Sequence, residues 1–65
     1  MIYEELFEDL LLKDYKSAVD VCEKNGFTTR IICENGVYYI VTCDFNPKRV
    51  NFVLENDIVI KCDIG

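Results

Sequence analysis

The chain has no histidine. That removes the usual base for a cysteine nucleophile and the nitrogen ligand of a mixed cysteine–histidine zinc site. It also lacks paired cysteines: Cys22, Cys33, Cys43 and Cys62 stand no closer than ten positions apart, whereas structural zinc sites draw two ligands from one short loop. No metal or cofactor is therefore expected. No stretch approaches the ~20 apolar residues that a membrane span needs. The opening residues "MIYEELFEDLLLKD" carry acids where a secretory signal carries bases. A cytoplasmic location with reduced thiols is the expectation. Cations are scarce too, with 7 Lys and Arg against 12 Asp and Glu and a net charge of -5. That balance argues against a nucleic-acid backbone or an anionic membrane as partner. Repeats, low-complexity stretches and linkers are absent, so the 65 residues read as one domain near the lower size limit for unaided folding.

What the chain does have is apolar content, 51% of its residues, including four Tyr and four Phe. Such a composition can build a core and argues against disorder. The acidity is concentrated in residues 1–24, which hold seven acids and three bases. There Ile2, Tyr3, Leu6, Phe7, Leu10 and Leu11 recur at helical spacing, with Glu4, Glu5, Glu8 and Asp9 on the other side. Tyr15, Ala18, Val19 and Cys22 continue the stripe. Asp14, three residues before Ser17, is a candidate cap for a second helix, and Asn25-Gly26 is a candidate end. One long helix or a pair broken near Lys13-Asp14 both satisfy this pattern. Ile2, Leu6, Phe7, Leu10 and Leu11 form a packing surface, either for the domain's own sheet or for a homodimer.

Beyond Phe27 the texture becomes β-branched and aromatic. "TTRIIC" and "VYYIVT" flank "ENG", which contains an Asn-Gly turn signal. "VNFVL" and "DIVIKC" flank Glu55-Asn56-Asp57, and their apolar residues alternate with polar ones. The prediction is an α+β domain: an N-terminal helix or helix pair on a small four-stranded sheet, with an exposed loop between the second and third strands. Cys22, Cys33 and Cys62 fall among apolar neighbours and are expected to pack as small hydrophobes.

The joining segment "TCDFNPKRVN", Thr42 to Asn51, is the least ordinary part of the chain. Pro47 removes a backbone donor and pushes Asn46 toward an extended conformation. A loop stiffened in this way loses little freedom on binding. Arg49 is placed to donate hydrogen bonds back to loop carbonyls or to Asp44 and so hold the loop from beneath, with Lys48 left to solvent.

At Thr42, Cys43, Asp44, Phe45, Pro47, Arg49, Val50 and Asn51 the chain resembles the potato inhibitor I family of serine protease inhibitors, in its short bacterial branch. The likeness spans about residues 14–65 and is strongest over 40–52. It implies a single inhibitor-like domain over residues 1–65, with residues 1–13 as an extra N-terminal helix. It also implies a loop of Thr42, Cys43, Asp44, Phe45 and Asn46 that enters a protease as a substrate would, with the scissile bond between Cys43 and Asp44. Pro47, Arg49 and Asn51 would support it, Arg49 holding both sides of that bond so that a cut loop rejoins. The expected partner is a serine protease, and no catalysis by the chain itself is implied. Three departures stand out. Cysteine is unusual as the specificity residue, Asn46 stands where many members have arginine, and "GVYYIV" reads as a regular strand where the family has a looser approach. A second reading keeps the scaffold and changes the task. It makes the chain an accessory factor of a virus or mobile element that binds and neutralises a host protein or signalling molecule, as a homo-oligomer.

Overall fold

The computed structural model describes residues 3–65. Two helices, α1 (Tyr3–Leu10) and α2 (Tyr15–Lys24), precede four strands: β1 (Thr28–Glu34), β2 (Val37–Tyr38), β3 (Arg49–Glu55) and β4 (Ile58–Ile64). The apolar stripe of the first segment is thus split into a helix pair. Between the helices Leu12 takes a left-handed backbone at φ 67, a costly conformation for a leucine. Pairing with the sheet holds it there. Leu12 N donates to the Val59 carbonyl at 2.8 Å, Val59 N to the Lys13 carbonyl at 2.9 Å, and Tyr15 N to the Asp57 carbonyl at 2.7 Å.

Asp14 caps α2 by accepting from Ser17 N at 3.1 Å. The far end closes as a Schellman motif, with Gly26 at φ 81 donating to the Glu23 carbonyl and Phe27 N to the Cys22 carbonyl. Both hairpins turn through paired left-handed residues, Asn35-Gly36 and Asn56-Asp57. The two turns touch, since Asn56 N donates to Oδ1 of Asn35 at 2.7 Å.

The sheet order is β2-β1-β3-β4. β1 and β3 run parallel in the middle, and β2 and β4 lie antiparallel at the edges. The parallel pair dictates the rest. A chain that leaves β1 and returns parallel to it must cross from one end of the sheet to the other, and residues 39–48 make that crossing. The expected strand "VYYIVT" is accordingly cut short. Only Val37 and Tyr38 pair with β1, and one further bond, Tyr39 N to the Ile32 carbonyl at 3.0 Å, follows before the chain departs. The regular-strand reading of residues 36–41 is corrected by this, and the approach to the loop is irregular.

Both helices cover one face. Leu6, Leu10, Ala18, Cys22, Phe27, Val50, Phe52, Leu54 and Val59 form a single core, with Tyr15 edge-on to Phe52 at 6.2 Å. Leu6 and Leu10 are therefore consumed inside the domain and Phe7 packs against the core, but Leu11, expected in the same packing surface, is exposed at 40%. Ile2 lies outside the described residues. Among those residues no helix is long and apolar enough to cross a membrane.

Candidate binding loop

Alternation along β3 turns Val50, Phe52 and Leu54 toward the helices, and Asn51 and Val53 to the open face. The register then sets Arg30 of β1 beside Asn51, and Asn51 beside Asp63 of β4. This row is hydrogen-bonded throughout: Arg30 Nε donates to Asn51 Oδ1 at 2.9 Å, and Asn51 Nδ2 to Asp63 Oδ1 at 3.1 Å. Asn51 is buried, and this bonding satisfies its amide at both ends.

With its Nε fixed, Arg30 extends toward the loop. Its Nη1 lies 3.3 Å from both the Thr42 carbonyl and Oγ1 of Thr42. Arg49, first residue of β3, reaches the loop two residues further on. Its Nη2 donates to the Asp44 carbonyl at 2.6 Å and to the Gly65 carbonyl at 2.6 Å, and its Nε to the same Gly65 oxygen at 3.2 Å. The ion pair of Arg49 Nη1 with Asp44 Oδ2 is longer, 3.6 Å, and the Asp44 side chain is largely exposed. It adds little beside the carbonyl bonds. Two guanidinium groups from adjacent parallel strands thus grip carbonyls on either side of Cys43.

The descending part of the loop is folded by Asn46. Its Oδ1 accepts from Lys48 N at 2.9 Å, its carbonyl from Arg49 N at 3.1 Å, and its own N–H donates to the Gly65 carbonyl at 3.2 Å. Asn46 therefore sits with the supports, while Cys43 and Phe45 stand exposed, Phe45 at 72%. Ile40 is fully exposed ahead of them at 104%. Pro47 is exposed at the base. Lys48 is not simply solvated: its Nζ lies 5.3 Å above the Phe27 ring, and its carbonyl accepts from Thr28 N at 2.8 Å.

The Asp44 carboxyl is held below the ordinary aspartate range, first by a hydrogen bond from Thr42, then by its own backbone amide, with the Arg49 and Arg30 charges adding less. Cys22 and Cys62 lie deeper, and burial pushes both thiols up to about 11. All four cysteines are free, and only Cys43 is exposed.

Thr42, Cys43, Asp44, Phe45, Asn46, Pro47, Arg49 and Asn51 are brought to one end of the sheet. Two further contributors come from elsewhere. Arg30 lies in the middle of "TTRIIC", and its alternation marks it only as facing out. Gly65 supplies the carbonyl on which Arg49 and Asn46 converge, and a Cβ there would come within 3.1 Å of Asn51 Nδ2. Among the described residues no group of three or more Cys, Asp or Glu is placed to hold a metal ion. No family model, no curated protein and no solved structure matches the chain.

Proposed function

We propose that the chain inhibits a serine protease by offering Thr42–Asn46 as a substrate that is held in place, with cleavage directed between Cys43 and Asp44. One observation carries this reading. The carbonyls before and after Cys43 are gripped from beneath, Thr42 by Arg30 and Asp44 by Arg49, while the Cys43 side chain is left exposed.

Contact area alone makes a substrate, which is cut and released. An inhibitor must keep both ends of the cut bond facing each other, and here each end has its own anchor. The acyl side is held through Thr42 to Arg30 and Asn51. The amine side is held through Asp44 to Arg49 and Gly65. The amine freed on attack therefore stays beside the acyl group, and religation competes with hydrolysis. This divides between two arginines the task that the family resemblance assigns to Arg49 alone. Cys43 fills the primary specificity pocket, and Phe45 offers apolar area on the leaving side.

The test is titration of subtilisin-like and chymotrypsin-like proteases with the purified protein. Stoichiometric loss of activity supports the reading. Full activity throughout removes it and leaves the second reading, in which the scaffold neutralises a host protein that is not a protease. The exposed apolar strip of Val37, Tyr38 and Ile40, which lies ahead of Thr42, favours that alternative as a binding surface.

A further inference from the structure

The two edges of the sheet differ. That of β4 is partly closed, because the Leu12-Lys13 segment pairs with Val59, as described above. Among the described residues nothing pairs with the outer side of β2. The hairpin fixes the backbone directions there. Glu34 and Val37 close the tight Asn35-Gly36 turn, and Tyr39 N donates to the Ile32 carbonyl, so Val37 and Tyr39 turn their bonding groups toward β1. Tyr38, between them, turns its N–H and C=O outward. Ile40 follows, fully exposed, and neither its N–H nor its C=O has a backbone partner among the described residues. Thr42 ends the alternation, since its carbonyl accepts from Arg30 within the same chain. Natural edges are blunted by charge or proline, and residues 36–42 contain neither.

We propose that this edge pairs antiparallel with the same edge of a second copy, about a two-fold axis through Tyr39. The backbone selects the register. With the axis at Tyr39, Tyr38 comes opposite Ile40 of the second copy, and symmetry repeats the pair. Both members face outward, so each pair exchanges two bonds. An axis at Tyr38 sets Ile40 against Gly36, which is already in the turn at φ 80. An axis at Ile40 sets Tyr38 against Thr42, whose carbonyl is committed to Arg30. An axis between two residues opposes an outward residue to an inward one and makes no ladder.

The side chains agree with that register. Val37 comes opposite Val41, Tyr38 opposite Ile40, and Tyr39 opposite its own copy, all apolar or aromatic pairs of the kind that stabilise a ladder. A second copy thereby covers the exposed strip of Val37, Tyr38 and Ile40. Charge favours the same edge. The chain carries a net charge of -5, but the acids of α1 lie on a helix packed against α2 and β4, toward the far edge. The β2 edge brings no like charges together. An isologous contact must be complementary to itself, and this edge meets that condition. The pairing does not rest on the protease reading.

Sedimentation equilibrium of the full chain and three variants tests it. The unmodified protein should dimerise. Tyr39→Lys and Tyr39→Glu each place like charges on the axis, and within the chain give up only the exposed bond to Glu34. Each should weaken self-association roughly tenfold. Mixed together, they should form a heterodimer, because the charges on the axis are then opposite; misfolded variants would not be rescued this way. Ile40→Pro removes an N–H that has no backbone partner in its own chain. Its circular dichroism should match the parent's while self-association falls roughly fivefold to more than a hundredfold. A monomer at near-millimolar concentration overturns the proposal and leaves the strip to a different partner. A dimer indifferent to all three substitutions, or a mixture of the Tyr39 variants that fails to associate, overturns it as well.

Discussion

Arg30 and Asn51 are neighbours across the parallel β1–β3 pair, and the 2.9 Å bond from Nε of Arg30 to Oδ1 of Asn51 aims the rest of the guanidinium at Thr42. A residue of the sheet thereby positions a residue of the loop's support. Asn51→Ala should remove that aim and leave Arg30 and Asp63 without their shared partner. A hydrogen bond to a charged group is worth about 1.5–3 kcal/mol net, so the variant should lose stability on that order. Thermal unfolding should show a drop of several degrees, together with faster proteolysis within residues 40–48. A melting curve identical to the parent's would show that the row across the open face contributes nothing.

The first helix is part of the fold rather than an appendage. Leu10 is fully buried and Leu6 nearly so, and both pack with Val59 and Phe52 in the core. Leu10→Ala should cost about 2–5 kcal/mol. Removal of residues 1–12 should lower stability further and open the edge of Val59 that Leu12 covers. Denaturant unfolding checks both, and a truncated chain as stable as the parent is the contrary result.

Thiol accessibility should separate the four cysteines. Cys43 should react at once in the native protein, Cys62 slowly, and Cys22 and Cys33 only on unfolding, which should bring the total to four. A total of two after denaturation without reductant would mean that a disulfide forms.

The same burial predicts an alkaline loss of stability. An unfolded cysteine ionises near 9.0, whereas Cys22 and Cys62 in the folded chain ionise near 11, chiefly because burial disfavours the thiolate. The unfolded state therefore releases these protons first. Their contribution is complete below pH 9 and declines as pH rises toward 11. Cys22→Ala should flatten the fall in melting temperature over that window. An unchanged slope would assign the loss to other groups.

Much of this was readable from local signals. The Asp14 cap, the Asn25-Gly26 end and both hairpin turns depend on residues within a few positions of each other, where cap and turn chemistry acts. The break at Lys13-Asp14 stayed open beside one long helix, because it rests on the pairing of Leu12 and Lys13 with Val59. The loop was marked by Pro47 and Arg49 for the same reason. What escaped was non-local. Arg30 and Thr42 are twelve positions apart, and their meeting depends on β1 and β3 pairing in parallel, a register that no local pattern encodes. The early end of β2 has the same origin, since "VYYIVT" has strand propensity throughout and loses its partner only because the chain must cross to β3. The Gly65 carbonyl is a backbone group and carries no side-chain signature.

The most direct test of the central claim follows cleavage of the Cys43–Asp44 bond by mass, in the unmodified chain, Arg30→Ala, Arg49→Ala and Lys48→Ala, each with a subtilisin-like and a chymotrypsin-like protease. Losing a charge-assisted bond of about 1.5–3 kcal/mol corresponds to roughly tenfold to more than a hundredfold in binding or cleavage. The unmodified protein should inhibit and be cut slowly and partially. Arg30→Ala and Arg49→Ala should each be digested faster by that factor, at that bond, with their circular dichroism unchanged. Lys48→Ala, losing only an exposed contact with Phe27, should behave like the parent. If the unmodified protein inhibits neither enzyme and the loop is cut no faster without Arg30 or Arg49, the two arginines do not hold a protease-binding loop and the account is contradicted.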